Sequence, residues 1–142
     1  MKLFKILSHP YTLIFCFLFM LISGQHLGGF YALYILLGLY HGVLHSLLGF
    51  FGIAILFLSY HLLKKKKTMQ VILNVVGVIL LFASVFFFFK NDKEHYNWGT
   101  FEQVVPMFTI VLTAFIGLCF LLGNFWKPHL SSDIEQNFLS KV

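Results

Sequence analysis

Two histidines, His41 and His45, stand four residues apart in a run from Leu27 to Leu63 that holds no Asp, Glu, Lys or Arg. On one helix that spacing puts both imidazoles on the same face, one turn apart. It can hold a metal ion, as in H-E-x-x-H, although the Glu of that motif is missing here. Neutral imidazoles suit Zn, Cu, Fe or Ni. His26 is the better third ligand, because His95 sits in a loop among charges. A b-type haem would need a second His facing across a bundle. Tyr34 shares the face, and ionisable groups inside a membrane tend to be functional, so a quinone site or a proton relay is a further chemistry. The plain alternative is that each imidazole bonds a carbonyl, a headgroup or a neighbouring subunit near the water boundary. No motif selects among haem, quinone and transition metal, so the cofactor stays open.

The two histidines belong to a longer stripe. Tyr31, Tyr34, Gly38, His41, His45, Gly49 and Gly52 follow one another at steps of three or four residues, which aligns them on one helix face. Polar groups in membrane helices face protein or water, and small residues let a neighbouring helix come close. Asn74, Gly77 and Ser84 form a similar face further on, and Thr109, Thr113 and Gly117 another, with Asn124 near its end. Gly38, Gly49, Gly52, Asn74, Gly77, Thr113 and Gly117 are therefore expected to pack helix on helix.

The elements that carry these faces follow from composition. Of 142 residues, 59% are hydrophobic and 11% charged, against about 25% charged in an average soluble domain. A membrane span needs roughly 20 apolar residues. Four candidates emerge, over about 6–24, 42–63, 69–89 and 105–126. The expectation is an all-α integral membrane protein with four transmembrane helices in a single domain over 1–142. Its second helix is long, and the stretch 27–41 extends or kinks on the outer side. A straight helix over 27–63 would overshoot a ~30 Å hydrocarbon core by roughly 25 Å. Three arrangements remove the overshoot: a bend at Gly38 or Gly42 into the interface, a strong tilt, or a projection covered by another protein.

Charge sets the orientation. All ten basic residues are Lys. Four spans place Lys2, Lys5, Lys127 and the run Lys64, Lys65, Lys66 and Lys67 on one side, which the positive-inside tendency makes cytoplasmic together with both termini. Five spans would split them. The tetralysine is a topology anchor that attracts anionic lipid headgroups. Lysines flanking apolar runs speak against nucleic acid as a partner. Short loops and the Lys bias suit a bacterial inner membrane.

Serine-protease, Walker and Rossmann patterns are absent, and the spans carry no Asp or Glu. The expected function is a small accessory or structural subunit of a larger membrane complex, without catalytic activity of its own. Its partners would be membrane lipids and other subunits docked on the 27–52 helix face. The alternatives are a respiratory or redox-complex subunit working at His41 and His45, and a small oligomeric transporter or channel.

Overall fold

A computed structural model describes residues 2–25, 28–63 and 66–139, and the side chains of residues 3–25, 28–63 and 66–125. The protein is mostly helical: α1 (Lys2–Leu7), α2 (Pro10–Leu18), α3 (Tyr31–Tyr40), α4 (Leu44–Leu62), α5 (Lys67–Lys90), α6 (Gly99–Glu102) and α7 (Val104–Leu139), with two short strands, β1 (Leu21–Ile22) and β2 (Gly29–Phe30). Three helical stretches are long and apolar enough to cross a membrane: Leu44–Leu62, Lys67–Lys90 and Val104–Phe125. At 1.5 Å per residue the shortest, 19 residues, is about 28 Å long. Lysines bound α5 at both ends, and Pro106 lies in the first turn of α7, where its missing N–H costs nothing.

The apolar stretch expected to form one helix over 6–24 is not one. Proline restricts the residue before it to extended backbone, and His9 sits at φ −91°, ψ 135°, as the N-cap of α2. Thr12 Oγ1 reaches back across this break to the Ile6 carbonyl at 2.8 Å. Helix α2 then lasts nine residues and gives way to extended chain, which pairs as β1 with β2 in the register Leu21↔Phe30 and Ile22↔Gly29. This composite segment runs antiparallel along α7. A Cβ on Gly123 would lie 2.5 Å from Ser8, and one on Gly117 would lie 3.7 Å from Leu13. Thr113 meets the Cys16 carbonyl, and Thr109 meets the Leu21 amide.

The stretch 27–63, expected as a long helix extended, tilted or bent on its outer side, is two separate helices. Helix α3 stops at Tyr40, and α4 starts at Leu44. Between them the Val43 N–H donates to the Gly38 carbonyl at 2.8 Å, and the Gly42 N–H donates to the Leu39 carbonyl at 3.1 Å. Gly42 has φ +66°. This is a Schellman ending, in which a left-handed glycine lets the last carbonyls find donors. The chain then doubles back. Ile35 Cδ1 would touch a Cβ on Gly49 at 3.0 Å, although one continuous helix would hold residues 35 and 49 about 21 Å apart. The overshoot disappears because α3 folds onto α4 in place of continuing it.

The tightest helix pair is α4 with α5. A Cβ on Gly52 would lie 3.1 Å from the Gly77 carbonyl, and one on Gly77 would lie 3.3 Å from the Gly52 carbonyl. The two backbones therefore touch, with Leu56 and Leu81 closing over the contact, both fully buried. Phe17 and Tyr31 link this pair to the α2 side of the core.

Candidate functional site

The folded-back stripe builds one polar cluster. Tyr31 is fully buried at the start of α3. Its hydroxyl lies 2.8 Å from Ser84 Oγ on α5, and Ser84 Oγ donates to the His45 carbonyl at 2.6 Å. Since Ser84 has one proton to give, Tyr31 is the donor to it. This relay ties α3, α4 and α5 together at a single point. The His45 ring packs edge-on against Phe88 at 5.1 Å between centroids and beside Tyr31 at 6.5 Å. The imidazole hydrogen-bonds the Tyr34 backbone. Its Nε2 is buried without a partner. The bond to Tyr34 is therefore made by Nδ1–H, and Nε2 is the bare acceptor of that tautomer.

His41 does not share this environment. It caps α3, is exposed, and meets Tyr40 edge-on at 5.1 Å. The break at Gly42 removes the single helix face on which His41 and His45 would have stood one turn apart. His26, the third ligand of the metal reading, lies outside the described residues. Among the described residues, no three His, Cys, Asp or Glu side chains gather where they could hold one metal ion. Tyr34 is half-buried and packs on Phe88 at 5.1 Å.

A second cluster lies deeper toward the lysine end. Ser59 Oγ donates to Asn74 Oδ1 at 2.5 Å, and Asn74 Nδ2 donates to Asn124 Oδ1 at 2.9 Å. Asn124 Nδ2 closes the chain on the Phe120 carbonyl at 2.9 Å. Three helices, α4, α5 and α7, are thereby cross-linked by side-chain amides and a hydroxyl.

The threonines of α6 and α7 serve the extended segment. Backbone N–H and C=O groups at membrane depth must be satisfied inside the protein. Thr109 Oγ1 accepts from the Leu21 N–H at 3.0 Å and donates to the Pro106 carbonyl at 2.7 Å. Thr100 Oγ1 accepts from the Ser23 N–H at 2.9 Å and faces the Ser23 carbonyl at 3.3 Å. Thr113 Oγ1 is 3.2 Å from the Cys16 carbonyl and 2.8 Å from its own helix's Thr109 carbonyl. Gly117, one turn on, takes the Phe82 ring, which would lie 2.9 Å from a Cβ there.

One grouping escapes sequence reasoning. At the lysine end, His9 Nδ1 accepts the Tyr11 N–H at 3.3 Å, and its Nε2 meets the Tyr60 hydroxyl at 3.3 Å. The Tyr11 hydroxyl bonds His61 Nε2. Two imidazole–phenol pairs thus fasten the start of α2 to the end of α4. His9 and His61 are 52 positions apart, so only the placement of both beside apolar segment ends hints at the pairing. Lys66 and Lys67 follow at the start of α5 and are exposed, whereas Lys64 and Lys65 lie outside the described residues. No family model, no curated protein and no solved structure matches this chain.

Proposed function

We propose that this chain is a four-crossing membrane protein, with both termini cytoplasmic, that serves as a small accessory or structural subunit of a larger complex in a bacterial inner membrane. The fourth crossing is the composite of α1, α2 and β1. It lies antiparallel to α7 from Ser8 beside Gly123 to Leu21 beside Thr109. Its extended part is supplied with hydrogen-bond partners by Thr100 and Thr109, which makes such a crossing tolerable in lipid.

The observation that carries the subunit reading is the outward face of α3. Tyr31, Ile35 and Gly38 turn inward, while Leu36, Leu37 and Tyr40 are 64%, 56% and 88% exposed. A short apolar helix presented this way suits a seam with another membrane protein. Extraction in mild detergent followed by native mass spectrometry tests this. A companion polypeptide that is lost on Leu36→Glu plus Leu37→Glu supports it, and a clean monomer or simple homo-oligomer from wild type overturns it.

A second reading, a redox or proton-handling role, is favoured by His45 alone. Its unpartnered Nε2 beside Tyr31 and Phe88 is the kind of buried acceptor that a proton, a quinone hydroxyl or a metal would engage. A visible-range spectrum and metal analysis of the purified protein separate the two readings.

A further inference from the structure

Helices α5 and α7 do not close against each other as α4 and α5 do. Two cavities open between them. One, of about 570 Å³, is lined by Phe82, Phe86, Lys90, Trp98, Phe101 and Ile110 among others. The other, of about 560 Å³, runs from Val78 and Leu121 up to the same Phe82 and Phe86. They adjoin at these two rings, where Phe82 packs across the seam onto Gly117, and together make an open, stepped trough along the α5–α7 seam. From Val78 to Lys90 it follows α5 for about 18 Å, close to the depth of one leaflet of a ~30 Å hydrocarbon core. Ala83 and Ala114 line it, and their small side chains leave the space open.

The trough is apolar along its length and charged at one end. The Lys90 ammonium is exposed there and sits 5.8 Å above the Phe86 ring and 5.7 Å above the Phe87 ring. Such an arrangement holds a cation over aromatic faces. Trp98 stands at the same mouth, at the level where indoles meet the headgroup region. The acid nearest in sequence, Asp92, has both oxygens engaged, accepting the Tyr96 and Asn97 N–H groups at 3.1 and 2.7 Å.

We infer that this trough binds one phospholipid of the leaflet at the Lys90 end, with an acyl chain between α5 and α7 and the phosphate on Lys90 beside Trp98. The apolar length takes the chain, and the single cation at its mouth matches a single anionic phosphodiester. An apolar helix of a partner would use the same trough but has no need of the cation.

The test uses the full chain in bilayer nanodiscs containing phosphatidylglycerol with a photoactivatable diazirine on one acyl chain. After illumination, labelled peptides are mapped by mass spectrometry, and lipid affinity is titrated separately by native mass spectrometry. Label concentrates on peptides carrying Phe82, Phe86 and Ala114. Lys90→Gln weakens phosphatidylglycerol about fivefold and leaves diacylglycerol unchanged, whereas Ala114→Phe, which fills the trough, weakens both. Lys90 and Ala114 are exposed, so both variants keep the fold, and the wild-type label map decides without them. Label spread evenly over the exposed faces of all the long helices overturns the inference. So does a trough occupied by a second copy or a companion polypeptide, detected as a protein–protein cross-link at Ala114.

Discussion

Gly38 and Ser46 sit so close that a Cβ on the glycine would lie 2.0 Å from Ser46 Oγ and 3.0 Å from Ser46 Cβ. Eight residues apart in sequence, they touch because the chain reverses between them. Ser46 Oγ also donates to the Tyr34 carbonyl at 3.2 Å, so any side chain at position 38 must dislodge that bond and part α3 from α4. Gly38→Val is therefore expected to cost about 1–3 kcal/mol, the usual range for overpacking. Gly42→Ala, which meets no neighbour but must hold φ +66°, is expected to cost about 1–2 kcal/mol. Unfolding by SDS in mixed micelles measures both. Equal, negligible losses would contradict the reversal.

How much of this was legible in the sequence differs from element to element. Helices α5 and α7 could be read from apolar runs bounded by Lys90 and opened by Pro106, because length and end signals suffice there. For Gly42 the sequence allows a bend there or at Gly38 as one of three arrangements, but it does not select among them or show a full reversal. A stripe at steps of three and four fits one continuous helix, and it fits equally well two helices whose like faces meet. Gly38, Gly42, Gly49 and Gly52 look alike in sequence, yet Gly42 alone among them takes a positive φ. The break-up of the apolar segment over 6–24 is hidden for a different reason. Its extended backbone is completed by Thr100 and Thr109, whose hydroxyls lie 77 and 88 positions away. Local propensity cannot see partners at that separation. His41 and His45 looked paired for the same reason that the helix looked continuous.

The Asn74 side chain is the hinge of the polar link among α4, α5 and α7, and it is 4% exposed. Hydrogen bonds between membrane helices average about 0.6 kcal/mol and reach about 1.7. Asn74→Leu breaks two of them, leaves Asn124 Oδ1 without its donor and Ser59 Oγ with only the longer contact to the Gln70 carbonyl at 3.4 Å, so a loss near the upper figure is expected. A double-mutant cycle of Asn74→Leu with Asn124→Leu should return a coupling of about 1 kcal/mol. Additive losses would mean that the amides do not act as a unit.

Thr109→Val keeps the shape of the side chain and removes the hydroxyl that accepts the Leu21 N–H. The β1 backbone then lacks one partner. Hydrogen exchange at the Leu21 amide is expected to quicken roughly five- to tenfold, in line with the loss of about 1 kcal/mol of hydrogen bonding. The amides in the middle of α5 should be unaffected. Exchange unchanged at Leu21 would show that the strand is held by β2 alone.

The proposed four-crossing arrangement makes a labelling prediction. Tyr40 is 88% exposed at the end of α3, whereas Lys5 and Lys66 are exposed at the opposite end of the bundle. In a background with Cys16→Ala and Cys119→Ala, Tyr40→Cys should react with an impermeant maleimide on intact cells. Lys5→Cys and Lys66→Cys should react only after permeabilisation. Five crossings would instead separate Lys5 from Lys66, and that pattern would retire the proposed topology.

His45 offers a comparison between packing and polarity. Its ring fills space against Phe88 and Tyr31, while its Nε2 is buried without a partner, a condition that costs about 1–3 kcal/mol relative to a satisfied group. His45→Phe keeps the ring, relieves Nε2 and gives up the bond to Tyr34, whose carbonyl still has Ser46 as a donor. Its net effect on stability is expected within about 1 kcal/mol of zero. His45→Ala leaves a hole and should cost about 2 kcal/mol or more. The decisive readout is the activity of whatever complex the protein joins. Full activity in the stable His45→Phe protein makes the histidine a packing residue. Loss of activity at unchanged stability assigns the bare Nε2 a proton or ligand to hold, and the redox reading would then displace the structural one.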